Sequence, residues 1–428
     1  MVDLPRSRFP VAYARHPGDE RPQNAHGLSE PAARSLEYWA AVRGSQPALF
    51  EGTASLTYRD WNEYADMLAD GFASRGLGMD DVIAIRCRNR IEWAVIALAC
   101  AKIEARLLSL DADLPASLLR ERLIASRASA IILGDTAPMR INHALEGLSF
   151  RLRASMDAPF PGFFNFWDLF PPVAQPRFGR TQPSMLAWTA GPEARVVGLP
   201  RRRTAPAAVS APPSPDDGVS LITVPLHRTW GSGQFWTALA AGRAIALMRA
   251  FNPTEAIEAI ARRQVTHWCA FPETFAELHR LGVDVIRRAD VSSLRDVVIG
   301  GAPVPMMLRG WLVEIFGPVV SEAYGSTETG VISSLPAASF TVKRGSSGRP
   351  IRGAAVEIRD ADGRALPAGT VGEVWARTQR TLECEIGGNA RRSRRDANGF
   401  VATGDAGCID TDGFLYLKGR SDDQRIAG

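Results

Sequence analysis

The chain has 428 residues, 46% of them hydrophobic, and a formal net charge of only +4. That length suits two or three domains or one large multi-lobed unit, with the composition of an ordinary globular protein. So small a charge implies no dedicated nucleic-acid surface, and no apolar run is long enough to span a bilayer.

The five cysteines, Cys87, Cys100, Cys269, Cys384 and Cys408, are dispersed and form no close CxxC pair. They fit free thiols in a reducing cytoplasm rather than a metal site or a disulfide framework. Asp3, Pro5, Arg6 and Arg8 stand where a secretory leader would need an apolar run, so a cytoplasmic protein is expected.

In chain order, residues 1–31 are polar and rich in Pro and Gly and read as an irregular arm. Leu56 ends a short strand. Thr57, with Asp60 three residues on, caps a helix whose Trp61, Tyr64, Ala65, Leu68 and Phe72 share one apolar face. Strands are expected at Val82–Ile85, Leu107–Leu108 and Ala128–Leu133, with a helix from Ile91 to Ala105 between the first two. This alternation predicts a parallel, doubly wound sheet. The Pro- and Phe-rich residues 157–182 read as packing against a domain.

A buried strand at Leu221–Val224 runs into Pro225-Leu226-His227. A helix follows at Pro253–Arg263, then a strand at Val265–Phe271, and Pro272 opens the next helix. The strand Leu294–Ile299 leads to Gly300-Gly301-Ala302, and Gly317-Pro318-Val319-Val320 reads as a strand end. The chain then reaches Tyr324-Gly325-Ser326-Thr327-Glu328-Thr329-Gly330, read as a loop at a strand's C-terminal edge, where open α/β sheets place ligands. Tyr324 offers a flat face, Ser326 and Thr327 offer hydroxyls, and Gly325 lets backbone approach. Glu328 suits a hard cation such as Mg²⁺. Beyond Gly330, turn pairs such as Asp362-Gly363 and Asp412-Gly413 separate short β segments, which predicts a small β-barrel. Thr403-Gly404-Asp405 and Gly419-Arg420-Ser421-Asp422-Asp423 close the series.

These motifs, in this order, resemble the large N-terminal domain of the adenylate-forming (ANL) superfamily of acyl-CoA synthetases, peptide-synthetase adenylation domains and luciferases. The resemblance covers about residues 56–428. It implies two doubly wound α/β lobes plus a small β-barrel: lobe A at 32–185, lobe B at 186–330 carrying the adenylate site, the barrel at 331–418, and a hinge at 419–428 around Asp422, leading to a C-terminal domain that this chain lacks. It also implies that Ala302, Glu322, Ala323, Tyr324, Asp405 and Arg420 hold adenine and ribose, that Thr327 meets the α-phosphate, and that Gly325 and Ser326 complete the adenylate-binding set. His227 would lie against the acyl carboxylate and gate the incoming thiol, with Trp230, Phe271 and Gly301 around the acyl group. A lone histidine is more often structural, and Trp230 and Trp236 serve equally well as pocket walls or as core filling.

The resemblance fails at one place. Relatives carry a hydroxyl- and glycine-rich loop with a lysine for the outer phosphates of ATP. Here the segment contains Thr189, Ala190, Gly191, Pro192, Glu193 and, at the lysine position, Val197. Ala190 lacks a hydroxyl, Pro192 lacks an N–H, and Glu193 brings negative charge towards a polyphosphate. The only lysines are Lys102, Lys343 and Lys418, so Arg195 or the run Arg201-Arg202-Arg203 would have to substitute. The run also fits a solvated basic face.

The retained groups match acyl-AMP better than ATP. The expected activity is therefore transfer of an acyl group from a preformed acyl-adenylate to coenzyme A, with Mg²⁺ dispensable and a separate enzyme supplying the adenylate. That pattern resembles the non-adenylating acyl-CoA ligases of platensimycin-type diterpenoid biosynthesis. A conventional ATP-dependent acyl-CoA synthetase and a silent adenylate- or partner-binding relative remain the alternatives. Small molecules are the expected partners, with no nucleic acid and no membrane.

Overall fold

The Thr57 hydroxyl accepts from Asp60 N–H at 3.1 Å and the Asp60 carboxylate accepts from Thr57 N–H at 3.4 Å, so the capping box forms as its spacing predicts. The helix it starts, Tyr58–Ala73, buries Trp61, Tyr64, Ala65, Leu68 and Phe72. The next helix, Ile91–Lys102, is buried at every position and so is apolar nearly all round rather than along a stripe. The Trp61 indole N–H donates to Ala94 O at 3.2 Å and ties the two helices together. This computed structural model describes residues 36–135, 141–177, 184–188, 196–198, 216–378, 381, 384–385 and 395–421.

The chain divides into two units, one of residues 1–187 with 201–250 and one of residues 188–200 with 251–428. In the first unit, the parallel strands Ser184–Trp188, Arg106–Leu110, Val82–Arg86, Ala130–Leu133, Leu152–Ser155 and Phe164–Asn165 lie side by side in that order. A further set in this unit runs Val219–Ile222, Ala244–Leu247, Pro47–Glu51, Ala54–Thr57, parallel except for the last pair. Strands near residue 50 thus sit beside strands near 220 and 245, although sequence reading places them in different lobes. The Val82, Arg106 and Ala130 strands are nearly wholly buried, which matches their continuous apolar runs.

In the second unit, His267–Ala270, Asp296–Gly300 and Val320–Ser326 are parallel neighbours, and Gly330–Pro336 and Arg349–Pro350 continue the sheet antiparallel. Two local expectations are corrected here. Gly317–Val319 is a 3-10 turn, not the end of a strand. Gly317, at φ 73°, ends the helix Met306–Phe316, and Pro318 suits a first helical turn because it needs no N–H partner. The motif from Tyr324 to Gly330 is a β-hairpin rather than a loop: Tyr324, Gly325 and Ser326 still belong to a strand, Thr327–Thr329 form the turn, and Gly330 starts the return strand. Gly325 permits this, because a Cβ there would stand 2.2 Å from Gly330 O.

The segment expected as a small barrel forms a four-stranded antiparallel sheet, Ala355–Arg359, Gly372–Arg377, Val401–Ile409, Leu415–Arg420. Its core is Ile358, Val374 and Leu415. No helix among the described residues is long and apolar enough to cross a membrane.

Candidate adenylate and acyl-transfer site

Three successive parallel strands of the second unit end in the residues that the motifs single out. Phe271 follows His267–Ala270, Gly301 and Ala302 follow Asp296–Gly300, and Ala323 pairs with Gly300 in the register of the third strand. Gly301 has φ 81°, and a Cβ on it would lie 2.6 Å from the Phe271 ring. Both the backbone conformation and the ring therefore demand glycine there.

Tyr324, on the third strand, donates its hydroxyl to Asp405 Oδ2 at 2.7 Å, across 81 residues. Asp405 Oδ1 accepts from Arg420 Nη1 at 3.1 Å. Asp405 and Arg420 are direct cross-strand partners in the four-stranded sheet. Gly404, at φ 75°, makes room for the guanidinium, since a Cβ there would sit 2.5 Å from Arg420 Nη2. Burial, then the neighbouring Asp405 carboxylate, push the Tyr324 phenol well above its usual range, so it stays a neutral donor. The Arg420 side chain is 55% exposed and that of Asp405 19%. Each carboxylate oxygen has a second lone-pair direction, so this trio keeps acceptor and donor capacity for a vicinal diol or a phosphate.

At the hairpin turn, Ser326 Oγ and Thr329 Oγ1 lie 3.0 Å apart, and Thr378 Oγ1 donates to Thr329 O. Thr327 and Glu328 are half-buried in that turn. No group of three or more His, Cys, Asp or Glu side chains gathers for a metal among the described residues. Glu328 would hold Mg²⁺ only together with phosphate oxygens, as is usual for that ion.

Glu322 is buried and its carboxylate pairs with Arg309, at 2.6 Å to Nε and 2.9 Å to Nη2. That side chain is spent on an ion pair. Nothing in the Met306–Phe316 sequence marks Arg309 as its partner.

In the first unit, His227 follows the Val219–Ile222 strand and its ring is 15% exposed. Its Nε2 stands 3.7 Å from Asp111 Oδ2, and Asp111 directly follows the strand Arg106–Leu110. Burial lowers the imidazole from 6.5 to about 4; Arg228 and Arg122 push in the same direction and Asp111 against it. His227 is therefore neutral at pH 7, with one ring nitrogen left as an acceptor. The helix Thr229–Ala241 begins beside it. Trp236 fills the core against Phe235 and Trp93. Trp230 is only half-buried, yet its indole N–H is buried with no acceptor among the described residues. Asp111, Arg122 and Arg309 were not legible as site neighbours; only the place of Asp111 at a strand's C-terminal end gave a signal.

Thr189, Ala190, Gly191, Pro192, Glu193 and Asp422 lie outside the described residues. Val197 lies in the short strand Val196–Gly198, whose backbone pairs antiparallel with Cys384–Glu385.

A profile of the AMP-binding enzyme family matches residues 36–177 and 195–384. Indoleacetate–CoA ligase of Aromatoleum aromaticum is 25% identical over 406 residues, 92% of this chain and 79% of that protein. The 4-coumarate–CoA ligase-like 6 of Oryza sativa subsp. japonica is 31% identical over 206 residues, 47% of this chain but only 34% of that protein. Among solved structures, one named a long-chain-fatty-acid CoA ligase from Rhodopseudomonas palustris superposes with a TM-score of 0.80 at 25% identity, covering 91% of this chain and 99% of the other. The mixed α/β architecture with parallel sheets and a small antiparallel sheet is the adenylate-forming fold of the CoA ligases.

Proposed function

The chain belongs to the AMP-binding enzyme family, and on that premise we propose that it takes up a preformed acyl-adenylate and transfers the acyl group to the thiol of coenzyme A, releasing AMP. In this reaction the sulfur attacks the acyl carbonyl carbon. The C–S bond forms, the C–O bond to the AMP phosphate breaks, and the thiol proton leaves to water. The adenylate is already activated, so the protein contributes mainly positioning and a suitable electrostatic surface.

The observation that carries this reading is the bonded trio Tyr324–Asp405–Arg420. It would supply nucleoside and monophosphate contacts, whereas Ala190, Pro192, Glu193 and Val197 occupy the stretch of sequence where the family resemblance expects the groups for the outer phosphates. Asp405 would accept from the ribose hydroxyls, Arg420 would reach ribose or phosphate, and Thr327 would meet the remaining phosphate. Within the first unit, His227, neutral and 3.7 Å from Asp111, keeps one ring nitrogen that could accept a hydrogen bond from a thiol. The same division of kept and lost groups supports likeness to the non-adenylating acyl-CoA ligases of platensimycin-type diterpenoid biosynthesis, with the adenylate made by another enzyme and Mg²⁺ dispensable.

The test supplies synthetic acyl-AMP and coenzyme A and follows thioester and AMP by chromatography, alongside ATP–pyrophosphate exchange with candidate acids. Thioester without exchange is expected. Exchange at ordinary rates would establish instead a conventional ATP-dependent synthetase, a reading favoured by the relatives' names as CoA ligases and by the retained Thr327 and Glu328. Adenylate binding with no thioester would leave a silent binding protein. Val197→Lys is expected not to create exchange, because Pro192 and Glu193 remain; robust exchange by that variant would contradict the loop argument.

A further inference from the structure

Asn89 lies in the short connection between the strand Val82–Arg86 and the helix Ile91–Lys102, and it is only 3% exposed. Its amide makes two bonds of opposite sense to the segment that delivers His227. Asn89 Nδ2 donates to Val224 O at 3.0 Å, and Asn89 Oδ1 accepts from Leu226 N–H at 2.8 Å. The residue between those two contacts is Pro225, which has no N–H to offer. One side chain thus does for this segment what a neighbouring strand would do, pairing the acceptor of one residue and the donor of the next but one.

A second element also holds this segment. A Cβ on Gly231 would stand 2.4 Å from Pro225 O and 2.8 Å from Val224 O, so the first turn of the helix Thr229–Ala241 packs directly on it. Arg228 N–H closes a turn onto Pro225 O at 3.0 Å, with His227 at the apex. His227 follows Leu226, so a change in the Asn89 clamp is passed through the backbone of Leu226 to the residue that carries the imidazole.

We infer that Asn89 is a positioning residue for His227, clamping the backbone of Val224 and Leu226 so that the imidazole faces Asp111 in the orientation that acyl transfer requires. This rests on the transfer reading above. Asn89 touches no substrate and acts only through the ring. The charged groups that face the ring are Asp111, Arg228 and Arg122.

The test uses the full chain with acyl-AMP and coenzyme A, comparing wild type, Asn89→Ala, His227→Ala and the double variant, after circular dichroism has shown that each is folded. Asn89→Ala is expected to lower kcat about 10- to 100-fold, the scale of a misplacement near 1 Å, with both KM values within about twofold. The double variant is expected to be no slower than His227→Ala alone, because the clamp has nothing left to position. Losses that multiply in the double variant would overturn the inference. A second readout is independent of activity. In NMR titration of the histidine ring protons, assigned through His227→Gln, the His227 midpoint is expected near 4 in wild type and nearer 6.5 in Asn89→Ala. An unmoved midpoint would likewise overturn it. If wild type forms no thioester, the transfer reading fails while the titration still decides the clamp. Should Asn89→Ala not fold, Asn89→Asp, which keeps the acceptor for Leu226 N–H and loses the donor to Val224 O, is read by the kinetic cycle alone, because its added charge would itself raise the His227 midpoint.

Discussion

Arg90 and Arg420 each hold carboxylates, but in opposite ways. Arg90 is fully buried, binds Glu92 through two bonds of 2.8 and 2.7 Å, and binds Asp157 at 2.9 Å. Asp135 stands 3.7 Å from the same guanidinium. Arg420 is more than half exposed and makes one bond to Asp405 and a long one to Thr403 O. A guanidinium surrounded by carboxylates has little donor capacity left for a ligand and its value is structural. One that is half used, beside a phenol and a carboxylate, keeps donors for a ligand. Charge clusters are therefore told apart by remaining hydrogen-bonding capacity, not by how many charges they contain.

Arg90→Met breaks the buried side of this comparison. It strands the Glu92 and Asp157 charges and is expected to cost about 3–5 kcal/mol of stability in urea melts, with adenylate affinity of the folded fraction unchanged. A loss below about 1 kcal/mol would show that the cluster is more hydrated than its geometry implies.

His227 comes next, as a ring kept neutral by burial rather than by pairing. Its folded value, about 4, lies below the unfolded 6.5, so the unfolded chain binds the extra proton between those values. This contribution is intact above pH 6.5 and is lost as pH falls towards 4, by about 3 kcal/mol. His227→Gln should flatten that part of the stability profile. A profile identical to wild type would place the ring in water.

Asp405→Ala probes the open side. It should weaken acyl-AMP binding by about 1–3 kcal/mol, the cost of losing hydrogen bonds to a charged group, while stability falls by only about 1 kcal/mol, the Tyr324 bond contributing most of that and the exposed Arg420 pair little. A stability loss matching that of Arg90→Met would erase the distinction. Tyr324→Phe is the mildest change. It removes one bond to Asp405 and should cost about 0.5–1.5 kcal/mol in adenylate affinity.

Much of the local structure was legible. Thr57 and Asp60 announced a capping box, the spacing from Trp61 to Phe72 announced a buried face, and the helix Pro253–Arg263 has the bounds its sequence predicts. These signals are short-range, and each residue's partner lies within a few positions. What was hidden depends on contacts across the chain. Val319-Val320 looks like a strand because both are β-branched, yet Gly317 and Pro318 dictate a turn first. The pairing of Pro47–Glu51 with Ala244–Leu247 leaves no periodic trace. Tyr324, Asp405 and Arg420 could be named from motifs, but their mutual bonding, the capture of Glu322 by Arg309, and the Asn89 clamp each join single polar residues far apart in sequence.

The most direct test of the proposed division between a retained monophosphate site and a lost triphosphate end is calorimetric titration of the full chain with a stable acyl-AMP mimic and, separately, with ATP–Mg. Tighter binding of the acyl-AMP mimic is the predicted result. Tighter binding of ATP–Mg would contradict it.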